Sequence, residues 1–337
     1  MAAPYQEPRS VDIEVTNRCN ALCTFCPRDK MPPLGKMKAD VFDQVLARLV
    51  EYDRNVLIHF AGFGEPVMHP ELSDFIAKAT SLNFKTGINT NAALLTEDKS
   101  HALLDAGLSQ ITFNIAAVEE DYEELYNLDF QETLNNIQAF LKINDGRCEV
   151  WGGIVENDIN YEKIKDIKKY WKGIGIKRFY VATEGNRGGA LSRGARYHEV
   201  DDSKYLVLAK DFYAEQGMEA QCFLPLTSIF ISQEGQYLMC CHDWRKKLPL
   251  GSVFDFSVTD IDAIKKEKLQ TGNPVCAACD IDPFNIVKES LIAIDDGEMT
   301  MLELKDKLPY LKEIYQKRDF EFQSRSQLTE MTGKSSE

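Results

Sequence analysis

"EVTNRCNALCTFCPRDK", residues 14–30, places Cys19, Cys23 and Cys26 in one short loop flanked by Asn17, Asn20 and Pro27. Three thiols are the wrong number for closed disulfides and one short of a closed tetrahedral zinc site. Zinc would want a fourth nitrogen or sulfur nearby. The next histidines, His59 and His69, lie beyond the following helical stretch. A cubane iron–sulfur cluster accepts three cysteines and leaves one iron open to an outside ligand. On spacing alone, a cluster, a zinc ion and three core cysteines all stay open.

Around this loop the chain alternates. Apolar, β-rich runs at 11–16, 55–62, 84–91, 110–115, 148–155 and 177–183 read as strands. Between them, 39–52, 71–82, 96–107, 131–143 and 161–173 carry helical periodicity, and Thr96 and Gly107 mark the ends of one helix. Strands separated by helices imply parallel pairing with right-handed crossovers. The architecture is a doubly wound sheet or a barrel with fewer than eight units. Either form binds ligands at the carboxyl ends of its strands. After Gly189 the rhythm changes. Residues 228–243 read as a β-hairpin around a Gly-containing turn, 258–272 as a helix with a Gly stop, and 301–317 as a terminal helix. The last twelve residues read as disordered.

Composition limits the function. The 337 residues are 44% hydrophobic and 27% charged, as in a globular protein with a sizeable core. A net charge of −14 disfavours a broad basic face for nucleic acid, though not a phosphorylated small substrate. The N-terminal "MAAPYQEPRS" has no apolar signal core, and no apolar run approaches the ~18 residues of a membrane helix. Nine cysteines without an export signal point to a reducing, cytoplasmic setting, where clustered thiols bind metal or do chemistry.

Further matches follow the cysteine loop in chain order. They are Phe25 between its last two cysteines, "GFGEP" (62–66), "NTNAALL" (89–95) and Asn160 in "VENDIN". Together these resemble the motifs of the radical S-adenosylmethionine (radical SAM) enzymes. The resemblance implies a partial (β/α)6 TIM-type barrel over residues 1–195. It implies a [4Fe–4S] cluster on Cys19, Cys23 and Cys26, with SAM as the missing fourth partner. Phe63 and Gly64 would offer backbone carbonyls to the SAM amino group, and Glu65 a carboxylate. Thr90 and Asn91 would bind ribose hydroxyls, and Phe25 would pack on the adenine. Asn114 would approach the methionine carboxylate, and Asn160 matches the family's Asn after the fifth strand. Cleaved SAM would yield a 5′-deoxyadenosyl radical that removes hydrogen from a substrate. Phe63 departs from the family's usual glycine at that place in the turn.

Four more cysteines, Cys222, Cys240, Cys276 and Cys279, follow the barrel. A four-cysteine zinc ribbon would suit them by residue type. Their order around the hairpin resembles the twitch domain, a shortened SPASM domain. That implies a small α+β unit over 200–290 holding one auxiliary [4Fe–4S] cluster, with 291–337 as terminal helix and flexible tail. Cys148 reads as a core residue. Cys241, taken as a strand neighbour of Cys240, should face the other way. "EGNRGGAL" (184–191) resembles an Asn-Arg-Gly-Gly stretch of such enzymes and implies Arg187 at the mouth between the two clusters. His242 and Asp243 are further polar candidates for the reaction.

The expectation is therefore a radical SAM oxidoreductase acting on a small hydroxylated metabolite: a sugar, aminocyclitol or nucleoside. The outcome would be dehydrogenation, epimerisation or C–C bond formation. An external one-electron donor of flavodoxin or ferredoxin type would serve it, with no nucleic acid or membrane partner. One rival is a peptide maturase, whose usual winged-helix recognition domain finds no room before a first strand starting near Val11. The other is a non-catalytic zinc-binding protein.

Overall fold

The computed structural model describes residues 10–27, 33–188, 224–277 and 299–306, with positions 191, 208, 211, 212, 215, 279, 287, 290, 291, 293–295 and 297. Cys222 and residues 307–337 of the expected helix and tail lie outside the described residues.

Six strands carry the first half: β1 (Ser10–Ile13), β2 (Leu57–Phe60), β3 (Lys85–Thr90), β4 (Gln110–Asn114), β5 (Glu149–Glu156) and β6 (Arg178–Thr183). Each pairs in parallel with the next. The intervening helices are α1 (Ala39–Tyr52), α2 (Leu72–Ser81), α3 (Glu97–Asp105), α4 (Glu119–Tyr126), α5 (Phe130–Asn144) and α6 (Ile164–Ile174). Amphipathic spacing explains how they pack. In α1, Phe42, Val45, Leu46 and Leu49 form one buried stripe at intervals of three and four. Thr96 caps α3 by accepting from the Lys99 N–H. The result is the partial (β/α)6 barrel.

Its two faces follow from the period of two along a strand. Val11, Ile13, Ile58, Phe60, Ile88, Ile111 and Phe113 belong to the apolar core shared with the helices. Their neighbours Asp12, His59, Asn89, Thr112 and Asn114 therefore line the inner face, and Glu14 continues that row beyond β1.

Helix α4 was not foreseen. It is only two turns long and its acidic run conceals it. Yet Glu119, Glu120 and Asp121 suit the positive end of a helix, and Tyr122, Leu125 and Tyr126 bury at i, i+3 and i+4. Asn127 ends it in a left-handed conformation.

The second half extends the same sheet. Strand β7 (Ser228–Ile231) pairs in parallel with the free edge of β1, and β8 (Gln236–Leu238) and β9 (Pro249–Ser252) follow antiparallel. The sheet order is β6-β5-β4-β3-β2-β1-β7-β8-β9. The hairpin is shorter than its expected 228–243. It ends at Leu238, so Cys240 and Cys241 sit in the turn beyond it, and strand alternation does not set which way Cys241 faces. The helix Val258–Thr271 starts with a Ser257/Asp260 capping box. Its buried Lys265 donates to the Ser228 carbonyl at 2.8 Å. Arg48 and Gln44 of α1 donate to the Val253 carbonyl at 2.9 and 3.2 Å, tying the barrel to the end of β9. Among the described residues, no helix is long and apolar enough to cross a membrane.

Candidate functional site

Beyond β1 the chain folds over the carboxyl ends of the strands. Helix α4 pins it there: Leu22 N–H donates to the Tyr126 carbonyl and Thr24 N–H to the Leu125 carbonyl, both at 3.0 Å. Phe25 packs edge-on against Tyr126, ring centroids 5.9 Å apart. Cys26 N–H closes a tight turn onto the Cys23 carbonyl at 3.0 Å. The three thiols are half-buried. Two donors reach Cys19 Sγ: the Ala21 N–H at 3.4 Å and Asn91 Nδ2 at 3.8 Å.

The "GFGEP" turn lies against the start of this loop. A Cβ on Gly64 would fall 2.0 Å from the Thr16 carbonyl oxygen, so only glycine permits the approach. Glu65 N–H donates to the Arg18 carbonyl at 2.8 Å. The Glu65 carboxylate turns inward, where it accepts from Val67 N–H at 3.1 Å, Thr90 Oγ1 at 2.7 Å and Asn91 N–H at 2.8 Å. Burial raises its pKa while those donors oppose the shift. Thr90 Oγ1 also accepts from Ala92 N–H at 3.0 Å. Asn91 Oδ1 accepts from Ala93 N–H at 3.0 Å, and its amide donates to Asn20 Oδ1 at 3.0 Å. Asn160 Nδ2 donates to the Ala116 and Val155 carbonyls at 2.7 and 2.8 Å, joining the ends of β4 and β5. Four of the expected cofactor-binding side chains are thus engaged in the frame. Those bonds hold the strand ends and the cysteine loop in place. Asn114 stands half-buried at the end of β4.

A second thiol group lies across the hairpin. Burial pushes the Cys240 thiol well up, and the charges of Cys241, Cys279 and Cys276 add to the shift. The His242 N–H lies 3.4 Å from Cys240 Sγ, and Asn273 Nδ2 lies 3.1 Å from Cys276 Sγ. Asp243 is buried, and its carboxylate accepts from Lys247 and Leu248 N–H at 2.8 and 2.9 Å, so it shapes the turn after Cys240. The Arg187–Gly188 turn reaches this group. A Cβ on Gly188 would stand 3.0 Å from the His242 carbonyl oxygen and 3.4 Å from Val275 Cγ1. Arg187 holds a left-handed φ of 52°, and its Nε is buried without a hydrogen-bond partner. Among the described residues, no three possible ligands are drawn together tightly enough to hold a single ion. A cubane asks for less, since each thiolate binds its own iron.

Comparison with known families agrees with this arrangement. The radical SAM superfamily model matches residues 13–180, and an iron–sulfur cluster-binding domain model, SPASM, matches residues 222–280. The chain belongs to the radical SAM superfamily. The second match opens at Cys222 and closes just after Cys279.

Three curated relatives show the spread of this radical SAM family. A tungsten-containing aldehyde ferredoxin oxidoreductase cofactor-modifying protein of Pyrococcus furiosus is 24% identical over 177 residues, 50% of each chain. A PqqA peptide cyclase of Bradyrhizobium diazoefficiens is 34% identical over 116 residues, 34% of this chain and 30% of that one. An S-adenosyl-L-methionine-dependent 2-deoxy-scyllo-inosamine dehydrogenase of Niallia circulans is 25% identical over 156 residues, 44% of this chain and 60% of that one. The chain thus spans half or less of the length of the first two relatives. Among solved structures, anSMEcpe with bound AdoMet shares the fold at a TM-score of 0.61 and 16% identity, covering 78% of this chain and 83% of that one.

The cofactors of such a chain are SAM and iron–sulfur clusters, and the residues present fit them. Thiols that attract N–H donors suit thiolate ligands, because hydrogen bonds to sulfur stabilise the anion and tune the cluster. Cys148, by contrast, is core: it is buried, and burial raises its thiol pKa to about 12.

Sequence reasoning passed over several residues that build the site. Tyr126 and α4 anchor the cysteine loop, and Asn20 supports Asn91. Phe63 packs with Phe230, Leu238 and Trp244, with Cys241 against them, which explains why this turn departs from glycine. Glu14, 1% exposed, accepts from the Phe63 N–H at 3.2 Å. The alternation of β1 into Glu14 was the one signal that could have flagged it.

Proposed function

We propose that the chain is a radical SAM oxidoreductase that abstracts hydrogen from a small hydroxylated metabolite, aided by one auxiliary [4Fe–4S] cluster on Cys222, Cys240, Cys276 and Cys279. Cys19, Cys23 and Cys26 would hold the first cluster, and the backbone carbonyls of Phe63 and Gly64 would receive the SAM amino group. When bound, cluster and SAM supply one-electron cleavage and a 5′-deoxyadenosyl radical. Phe25 would border the adenine, and Asn114 would approach the methionine carboxylate. Glu65, Thr90, Asn91 and Asn160 keep those surfaces in register. Arg187 anchors substrate oxygen atoms by its planar fork. His242 sits beside Cys240, where it could hold or pass a proton. An external one-electron donor of flavodoxin or ferredoxin type completes the system.

The observation that carries the small-molecule reading is the polar inner face. Asn89 Oδ1 is buried there without a hydrogen-bond partner. Thr112 lies opposite it on the paired strand, and Asn114 follows two residues further along the same face. A buried, unsatisfied acceptor invites a hydroxyl donor. The PqqA cyclase relative favours a second reading, in which a peptide is the substrate.

Label transfer separates the two. The anaerobically reconstituted protein is incubated with SAM and with cyclitols, sugars and nucleosides deuterated at the reactive carbinol carbon, or with a labelled candidate precursor peptide. Deuterium appearing in 5′-deoxyadenosine from a polyol supports the proposal. Transfer from the peptide alone overturns it.

A further inference from the structure

Two contacts join the "GFGEP" turn to the segment that carries the second thiol group. One is apolar: Phe63 packs against Phe230 at 6.1 Å between ring centroids, within a cluster that includes Trp244 and touches Cys241. The other is ionic. Lys246 Nζ lies 3.2 Å from Glu14 Oε1 and also meets Gln233 Oε1. The other oxygen of Glu14 accepts from the Phe63 N–H. Both side chains are withdrawn from water, at 13% and 0% exposure. A charge pair this buried is held in one geometry, because separating the charges leaves each unsolvated.

Lys246 is also fixed to Cys240 through the backbone. Asp243 N–H donates to the Cys240 carbonyl at 3.2 Å, and Lys246 N–H donates to the Asp243 carbonyl at 2.9 Å. Two successive turns therefore run from an auxiliary cysteine to Lys246. Lys246 grips Glu14, and Glu14 holds the peptide whose neighbouring carbonyls would receive the SAM amino group.

We infer that Glu14 and Lys246 are positioning residues that couple the two sites, so that loading the auxiliary site changes the affinity of the first site for SAM. This rests on the proposed placement of SAM at the Phe63–Gly64 turn. Coupling of this kind is a difference in binding free energy between two states of one connected element, and it acts equally in both directions.

The test measures SAM dissociation constants by anaerobic calorimetry on reconstituted full-length protein. In the wild type, Cys276→Ala/Cys279→Ala should weaken SAM binding several-fold, and Lys246→Met should weaken it about tenfold. Lys246→Arg should retain most of the affinity. Lys246→Met strands a buried carboxylate and risks misfolding, so the deciding variant is Glu14→Gln/Lys246→Met. It removes both charges while its amide oxygen still accepts from Phe63 N–H. This variant should bind SAM, yet lose its sensitivity to Cys276→Ala/Cys279→Ala. Iron content and a SAM-induced change in the electron paramagnetic resonance of the first cluster check that the site is intact. Undiminished sensitivity in the double-charge variant overturns the coupling, as does a wild type that binds SAM equally well with and without the auxiliary cysteines. A wild type that carries its clusters but binds no SAM overturns the SAM placement itself, and the coupling with it.

Discussion

The Glu65 carboxylate and the Asn91 backbone N–H, from consecutive strand ends, meet at 2.8 Å inside the protein. Through that bond the "GFGEP" turn and the "NTNAALL" stretch become one rigid unit, and Asn91 extends the unit to Cys19. Two motifs that look independent along the chain are parts of one frame.

Glu65→Ala leaves the Val67 N–H, Asn91 N–H and Thr90 hydroxyl unsatisfied in a site closed to water. Hydrogen bonds to a buried charge are worth about 1.5–3 kcal/mol each, and stranded donors add desolvation costs. The variant should lose at least about 3 kcal/mol of stability, read by urea unfolding of the cluster-free protein. A loss within experimental error would show that the frame does not depend on this carboxylate.

Replacing Cys19, Cys23 or Cys26 by Ala should remove about four irons per chain and abolish SAM cleavage. Cys276→Ala/Cys279→Ala should also remove about four, keep some uncoupled 5′-deoxyadenosine formation and stop product. Cys148→Ala should leave the iron count unchanged, since that thiol is a core group. Iron analysis with chromatography of SAM products decides. Normal product from the 276/279 variant would exclude an auxiliary role.

Phe63→Ala removes an aromatic ring packed on Phe230, Leu238 and Trp244. Emptying such a site costs about 3–5 kcal/mol when it cannot collapse, while Phe63→Leu, closer in volume, should cost under about 2 kcal/mol. Thermal unfolding of both variants reads the difference, and equal costs would mean that volume at this contact is unimportant.

Arg187→Lys keeps the charge but loses the planar fork. Turnover should fall about tenfold, or about 1.4 kcal/mol of transition-state stabilisation, with iron content unchanged. Unaltered kcat/KM would place Arg187 outside substrate contact.

Burial is the largest influence on Glu14 and raises its pKa above 4.5, against the pull of Lys246 and the Phe63 N–H. The folded chain then binds this proton more tightly than the unfolded chain does. The resulting stability is present below 4.5 and is lost as pH rises through the raised value. Glu14→Gln removes that titration, so its unfolding free energy should decline less than that of the wild type from pH 4.5 towards neutrality. Urea unfolding across that range tests it, and parallel curves would refute the assignment.

Features that depend on local spacing were legible along the chain alone. Period-two and period-3.6 apolar patterns located six strands and five of the six barrel helices, and Thr96 marked a cap that the structure contains. The spacing of Cys19, Cys23 and Cys26 gathered three thiols within a few residues, and the resemblance of the nearby motifs indicated the family. The tertiary structure decided which partner each polar side chain meets. Thr90, Asn91 and Asn160 read as ligand-binding residues, and in the fold their side chains also bond Glu65, Asn20 of the cysteine loop and the Ala116 carbonyl. Phe63 looked like a motif defect until β7 was seen to join the edge of β1 and bring Phe230 to it. Glu14 and Lys246 lie in opposite halves of the chain, and no periodicity relates them. Such contacts depend on how sheet edges and loops pack in three dimensions, and local spacing carries no record of that.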